Sequence, residues 1–540
     1  MIKSGIGKAG FMSGSSPGDP QYYLRAARAS DLADPRERMR FRAFEILPGV
    51  LTWCTFLSMV GAARYFPTAA AIFIILFDVY WFLRTVYLSF HLRAGFRTTR
   101  EQQETDWIMK LDTLSLDAYR VPIRSWQELW HLVIFPMYQE PYEVVRTSFE
   151  SLVRSGYPLE RLIVVLALEA RAGRDATLVA EKIKQEFGAK FGRFLITVHP
   201  DGLPGEIVGK ASNEHWAAKE VMSRLIEPEK IPHERVIVSV FDVDTAVFPG
   251  FFGCLAYHYL TAENPLRASF QPVPLFINNV WHAPAFARVM GFSSTFWQMM
   301  QQARAERLIT FSSHSMGLKP LTEIGFWQPN VVSEDSRIFY HCFLFYEGDW
   351  EVVPLFFPVS MDANFAGTFW GTLANQYRQQ RRWGYGVENI PYLLFGFTKP
   401  NRIPAAKKWE YGFSIIEGFH SWATNTILIF FLGWLPILIG RGDIAFTSTL
   451  LSYNLPLITK WIMAAAMIGL VTSSFVSITL LPPRPPSLGR AKYLLMALQW
   501  ILMPATMVFL STIPAVEAQT RLMLGKYMGF WTTPKARKIA

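Results

Sequence analysis

RVIVSVFDVDT, residues 235–245, decides how this chain is read. It is an apolar, β-branched run of strand length that ends in two aspartates one residue apart, Asp242 and Asp244. Carboxylates at the end of a buried strand are costly unless a cation or a hydrogen-bond donor meets them. Two aspartates in a surface turn arise easily, so the pair alone leaves a turn open. Its position at a strand end favours a divalent cation held against a diphosphate.

Working outward, the same kind of run recurs as LVIFPMY (132–138), RLIVVLAL (161–168), RFLITVH (193–199) and SFQPVPLF (269–276). Amphipathic stretches such as YEVVRTSFESLVRSG and ATLVAEKIKQEFG fall between them. This alternation predicts an α/β domain with a mixed, mostly parallel sheet over 94–409, whose ligands bind at the carboxyl ends of the strands. FDVDT ends such a strand.

Beyond the domain the chain reads as membrane. Charged residues are 18% and aromatics 15% of 540 residues, and mean hydropathy is positive, whereas soluble domains carry about 25% charge. Stretches 46–65 and 68–91 are long enough, at about 1.5 Å per residue, to cross roughly 30 Å of hydrocarbon. Arg36, Arg38, Arg40 and Arg42 precede this hairpin (44–93) and Arg93, Arg97 and Arg100 follow it. The positive-inside rule puts both of its ends in the cytosol. Residues 1–43 read as a Gly/Ser/Pro-rich mobile tail and an Arg-rich interfacial segment, without the pattern of a signal peptide.

A bundle is expected over 410–517, from stretches 418–440, 457–481 and 492–514. The basic linker LPPRPPSLGRAK (481–492) is expected in the cytosol. Three crossings would strand the basic tail 518–540 outside, so one stretch is re-entrant, broken at Pro504, or a fourth crossing lies in 441–456. The net charge of +10 is assigned to lipid-facing flanks and phosphate binding, not to nucleic acid. Cys54, Cys254 and Cys342 are too scattered for a disulfide framework or a zinc site.

Three further segments carry polar chemistry. VVSEDSR (331–337) offers Glu334 and Asp335, either as a helix cap with Ser333 or as a general base. NQYRQQRRWGYG (375–386) offers Gln379, Arg382 and Trp383, either an interfacial helix or a sugar and diphosphate clamp. GEIVGKASN (205–213) offers Lys210, a solvated turn residue or a diphosphate ligand. His199 and His215 have no partner at ligand spacing and are expected to be structural. Trp281, Trp297 and Trp327 are expected in the core.

In this order the motifs resemble those of the membrane-embedded family-2 glycosyltransferases, the group of cellulose, hyaluronan and chitin synthases. The resemblance rests on PMYQE (136–140), GKASN (209–213), FDVDT, SED (333–335) and QQRRW (379–383), and spans most of the chain. FWTTPK (530–535) resembles the F-x-V-T-x-K gating motif of those enzymes, with Thr in place of Val, and supports a cytosolic tail.

The resemblance implies a GT-A type nucleotide-sugar domain between transmembrane helices, a Mg²⁺ or Mn²⁺ ion and inversion at the anomeric carbon. Asp242 would contact the nucleotide diphosphate and share the metal with Asp244, and Asp335 would be the base. Trp383, with Glu334 nearby, would face the acceptor, while Arg382 and Gln379 support the leaving diphosphate. Phe530, Thr533 and Lys535 would close over the donor, with a UDP-sugar expected. Lys210 would approach the diphosphate. Where many relatives place an aspartate pair after the second strand, LALEARAG offers Glu169.

Three readings follow. The first is a polysaccharide synthase in the plasma (inner) membrane with a cytosolic catalytic domain. The second is a transferase adding one sugar to a lipid acceptor in the bilayer, and the third a non-enzymatic sensor or scaffold. The tail is too short for a cyclic-dinucleotide module.

Overall fold

A computed structural model of the protein describes residues 20–466 and 468–537, so the expected mobile tail over 1–20 lies, but for its last residue, outside the described residues. Among the described residues eight strands form one sheet: β1 (Trp130–Met137), β2 (Leu162–Glu169), β3 (Arg193–His199), β4 (Val236–Val240), β5 (Ala246–Val247), β6 (Ala268–Phe276), β7 (Ser315–Gly317) and β8 (Glu351–Met361), in the order β3-β2-β1-β4-β7-β6-β8-β5. Pairings β1–β2, β2–β3, β1–β4 and β6–β8 are parallel, while β4–β7, β6–β7 and β5–β8 are antiparallel.

The parallel half follows from its sequence. Helices Tyr142–Val153, Arg174–Phe187 and Lys210–Val221 succeed β1, β2 and β3, and every residue of β2 and β4 is buried. Strands covered on both faces read as unbroken apolar runs. The chain steps outward from β1 to β2 and β3, then returns to place β4 on the other flank of β1. That reversal opens a crevice beyond the carboxyl ends of β1 and β4, where open α/β sheets bind ligands.

All five expected strands are present, and three short or irregular ones were not anticipated. β5 and β7 have two and three residues. β8 contains Pro354 and Pro358, and Phe356 has a φ of +48°. Its pairing with β6 is irregular between Gln271 and Val273.

Among the described residues, three helices are long and apolar enough to cross a membrane: α1 (Pro35–Tyr65), α2 (Pro67–Glu104) and the stretch Ala491–Met523. Arg42 of α1 donates to the carbonyls of Leu522 (2.9 Å) and Met523 (2.6 Å), satisfying the last turn of that third helix.

Two of the apolar stretches take shapes that hydropathy did not specify. Helix Ala405–Phe431 ends inside the 418–440 stretch and short turns follow. No break falls at Pro504: a 3₁₀ turn at Gln499–Leu502 and a π turn at Val508–Thr512 absorb the proline within one helical run. The 441–456 segment holds the short helix Ile444–Thr447 and the start of Leu450–Ala466.

Candidate active site

Asp242 and Asp244 leave the end of β4 into the crevice. The site around them is assembled from widely separated parts of the chain. Lys210, the first residue of its helix, sends Nζ to both oxygens of Asp335 (2.8 and 2.9 Å) and to Oδ1 of Asp242 (3.0 Å). Asp335 lies in the first turn of helix Glu334–Phe345. Lys210, Asp242 and Asp335, each expected from a different motif, thus share one ammonium.

Asp244 is 1% exposed. Its Oδ1 receives Lys535 from the C-terminal tail, and its Oδ2 accepts the backbone N–H of Asp362 (3.1 Å). Asn278 fixes the segment by donating to the Asp244 carbonyl (2.8 Å).

The tail therefore lies across the site. Phe530 packs on Gly209, where an added Cβ would come within 2.5 Å of the ring and where φ is +148°, so the position requires glycine. Arg382 lies over the Phe530 ring at 4.8 Å. Asn375 donates to the Pro534 carbonyl (3.2 Å), and Arg537 pairs with Asp362 (2.7 Å) and donates to Thr147 Oγ1 (2.6 Å). Thr533 is buried with its hydroxyl unpartnered.

Helix Phe369–Gly384 carries the QQRRW segment. Thr368 starts it by accepting the Gly371 N–H (3.1 Å). Gln379 Oε1 accepts from Asn364 (3.2 Å), and the Trp383 ring lies 6.4 Å from that of Phe276. These residues, the carboxylates and the tail line one cavity of about 1220 Å³, which continues past Trp297 and Trp409 to Trp81, Arg84 and Leu88 of α2.

Several contributors carried no local sequence signal. Ser312 donates to Asp242 Oδ2 (3.0 Å), and His314, 1% exposed, has Nδ1 3.9 Å from Asp335 Oδ1. Ser313 between them holds a φ of +70°, a left-handed conformation of the kind that gathers at functional sites. Asp362 and Arg537 were also missed, as was the brace behind Asp335. In that brace Glu388 accepts from Val332 N–H (2.9 Å), Ser333 N–H (2.9 Å) and Ser333 Oγ (2.8 Å). Ser333 precedes the helix but makes no capping bond, because its hydroxyl is committed to Glu388.

Glu169 lines the cavity from the end of β2 and is paired with Arg171 (2.7 Å), whose guanidinium lies 4.2 Å over Tyr138. Of the histidines expected to be structural, His199 pairs with Glu206 (2.8 Å) and His215 bonds to the Trp327 carbonyl (2.8 Å). Trp281 and Trp327 are core, whereas Trp297 is 42% exposed and lines the cavity.

The electrostatics are those of a buried mixed-charge cluster. Burial pushes Asp242 up, but Lys210 and Lys535 outweigh it and hold the carboxyl well below its ordinary range. Burial works against the Lys210 ammonium, yet Asp242 and Asp335 keep it firmly charged. Burial, with Asp335 alongside, pushes Glu334 up to about 7. Burial, aided by Asp244, pushes Asp362 up to about 6.

The donor set suits a hard cation. Two carboxylates one residue apart offer oxygen ligands, and no group of three or more His, Cys, Asp or Glu side chains arranged for a metal occurs among the described residues. Mg²⁺ takes one or two protein carboxylates and completes its shell with phosphate and water. Asp242 and Asp244 would be its ligands, with Lys535 leaving Asp244.

No protein-family model matches the chain, and no curated protein matches it in sequence. Among solved structures it is similar to the mannosyltransferase PcManGT from Pyrobaculum calidifontis in complex with GDP-Man and Mn²⁺, at 12% identity over 71% of this chain and 99% of that one, with a TM-score of 0.38. It is also similar to S. aureus TarS 1–349 in complex with UDP-GlcNAc, at 11% identity over 74% of this chain and 93% of that one, with a TM-score of 0.32. At identities this low the functional reading rests on the site itself.

Proposed function

We propose that this chain is an inverting membrane glycosyltransferase that moves a sugar from a nucleotide-sugar donor, of which a UDP-sugar is the first to test, to a growing polysaccharide at the cytosolic face. One observation carries the reading. Asp242, Asp244, Asp335, the QQRRW helix and the 530–535 tail segment line a single cavity that also reaches α2. Its volume exceeds the range of about 300–1,000 Å³ usual for a small-molecule pocket, which supports room for an acceptor chain beside the donor.

The chemistry follows from charge. An acceptor hydroxyl is a weak nucleophile, so Asp335 accepts its proton as the new C–O bond forms and the bond to the diphosphate breaks. Arg382, Lys210 and Lys535 offset the charge that develops on the departing diphosphate. A divalent ion on Asp242 and Asp244, when bound, would supply further charge neutralisation there. Trp383 presents an aromatic face to the acceptor sugar, and Phe530 and Thr533 cover the donor from the tail side.

A second reading, one sugar added to a lipid-borne acceptor, is favoured by the exposed rim. Trp297 and Trp409 line the cavity yet are 42% and 74% exposed, and tryptophans gather at headgroup depth. Purified protein in nanodiscs should release nucleotide from one member of a sugar-nucleotide panel. A product ladder of increasing length supports the polysaccharide, and a single glycolipid band supports the second reading. No release with any common donor would sink both and revive a sensor or scaffold.

A further inference from the structure

Lys210 is asked to serve more carboxylates than it has donors. An ammonium has three N–H groups, and Asp335 and Asp242 take the short contacts at 2.8, 2.9 and 3.0 Å. Two glutamates remain against the same nitrogen outside that first set. Glu334 Oε1 is 3.4 Å away and Glu214 Oε1 is 3.6 Å away. Both side chains are buried, and none of their four oxygens has a hydrogen-bond partner.

Glu214 is the more unusual of the two. It lies one turn after Lys210 on helix Lys210–Val221, belongs to none of the motifs, and is 0% exposed. The charged groups acting on it are Lys210 on its own helix, Glu334 and Asp335 on helix Glu334–Phe345, and Asp242 at the end of β4. Lys535 and Arg382 also act on Asp242, and Arg382 on Glu334, whereas Lys210 is the one cation among the groups acting on Glu214, and its short contacts go to the aspartates, so an ionised Glu214 would be poorly compensated. Fully buried, farthest of the four from the ammonium and unpartnered at both oxygens, Glu214 is the carboxyl worst placed to ionise, and burial drives it above its ordinary range.

The consequence concerns Asp335. With Lys210 bonded to both of its oxygens, Asp335 is a blocked base, because the ammonium occupies the positions at which it would accept a proton. A donor diphosphate arriving at the carboxyl end of β4 offers Lys210 new oxygens. Moving there frees Asp335 as the donor is seated.

We propose that Glu214 is a positioning residue that acts through Lys210. While neutral it lets the ammonium pass from Asp335 to the donor diphosphate, and when ionised it anchors the ammonium beside its own helix, so that donor binding and release of the base fail together. This rests on the sugar-transfer reading above, with Asp335 as base and Lys210 as a diphosphate ligand.

The test compares the parent with Glu214→Gln and Glu214→Asp in nanodiscs, across pH 6.5 to 9.5, with the donor that the parent turns over. The parent's donor KM should rise on the alkaline side, approaching the one decade per pH unit that a single coupled proton allows. Glu214→Gln, which cannot ionise, should show a flat KM over that range, and Glu214→Asp should restore the rise. A Gln variant whose KM climbs in step with the parent's overturns the proposal. So does a pH-independent loss that Asp fails to rescue while thermal stability is retained. A parent that turns over no donor defeats the transferase reading instead, which separates the two failures.

Discussion

Lys210 and Lys535 each place an ammonium on an aspartate of FDVDT, yet the two are held in different ways. Lys210 opens a helix packed on the sheet, and its four carboxylate partners sit two residues past β4 or on helical turns. Lys535 lies in a segment, residues 526–537, with no helix or strand. Polar contacts hold its tip: Lys535 to Asp244, Arg537 to Asp362, Ala536 N–H to the Phe365 carbonyl and Asn375 to the Pro534 carbonyl. The floor of the site is therefore fixed by the fold, whereas the covering segment is held by a few local contacts, two of them ion pairs that a charged ligand can replace. Floor substitutions should cost turnover or folding, and tail substitutions should cost donor affinity.

The largest effects are expected on the floor. Lys210→Met leaves Asp242, Asp335 and two glutamates facing one another without their cation, and turnover should fall by at least about 10³-fold. A drop of tenfold or less would show that the cluster is not the reacting centre. Behind Asp335, buried Arg337 donates to Asn389 (2.6 Å), Gln328 (3.3 Å) and the Glu388 carbonyl (3.1 Å). Breaking such a buried charged network costs about 3–5 kcal/mol, so Arg337→Ala should lower the unfolding temperature in detergent markedly. An unaltered melting curve would contradict the brace.

On the tail the expected losses are smaller and of another kind. A hydrogen bond to a charged group contributes about 1.5–3 kcal/mol, so Lys535→Met should raise donor KM about 10- to 100-fold with an unchanged melting curve. A pure kcat defect with normal KM would place Lys535 with the floor.

The smallest effect is a slope. The folded protein keeps a proton on Glu334 up to about pH 7, while the unfolded chain releases it near its ordinary 4.5. The folded state binds more protons within that window, so this group's contribution falls as pH rises from 4.5 through 7 and then levels off. Glu334→Gln should flatten the decline in thermal stability between pH 5 and 7. A slope identical to the parent's would assign the decline elsewhere.

What the sequence revealed and what it hid divide along similar lines. β1 to β4 were legible because strands covered on both faces must be apolar throughout, and FDVDT was legible because acidic residues at such an end need a partner. β5 and β7 are too short to carry a period, and prolines and a left-handed Phe356 interrupt β8. Ser312 and His314 lie just before β7 and Asp362 just after β8, so they flank poorly patterned strands and left no mark in the chain. Glu214 looks like any polar residue of an amphipathic helix. Only the meeting of that helix with Glu334–Phe345, more than a hundred residues away, gives it a role. The membrane half was legible in composition but not in its count of crossings, since apolar composition does not say where a helix ends and Gly433, Pro436 and Gly440 punctuate the 418–440 stretch.

The most direct measurement is donor turnover by Asp335→Asn protein, reconstituted in nanodiscs and shown by calorimetry to bind the donor. Loss of a general base costs about 10²–10⁴-fold, and the account predicts a fall in kcat of that size with donor affinity within a few-fold of the parent. Transfer at the parental rate by a correctly inserted, donor-binding variant would contradict it.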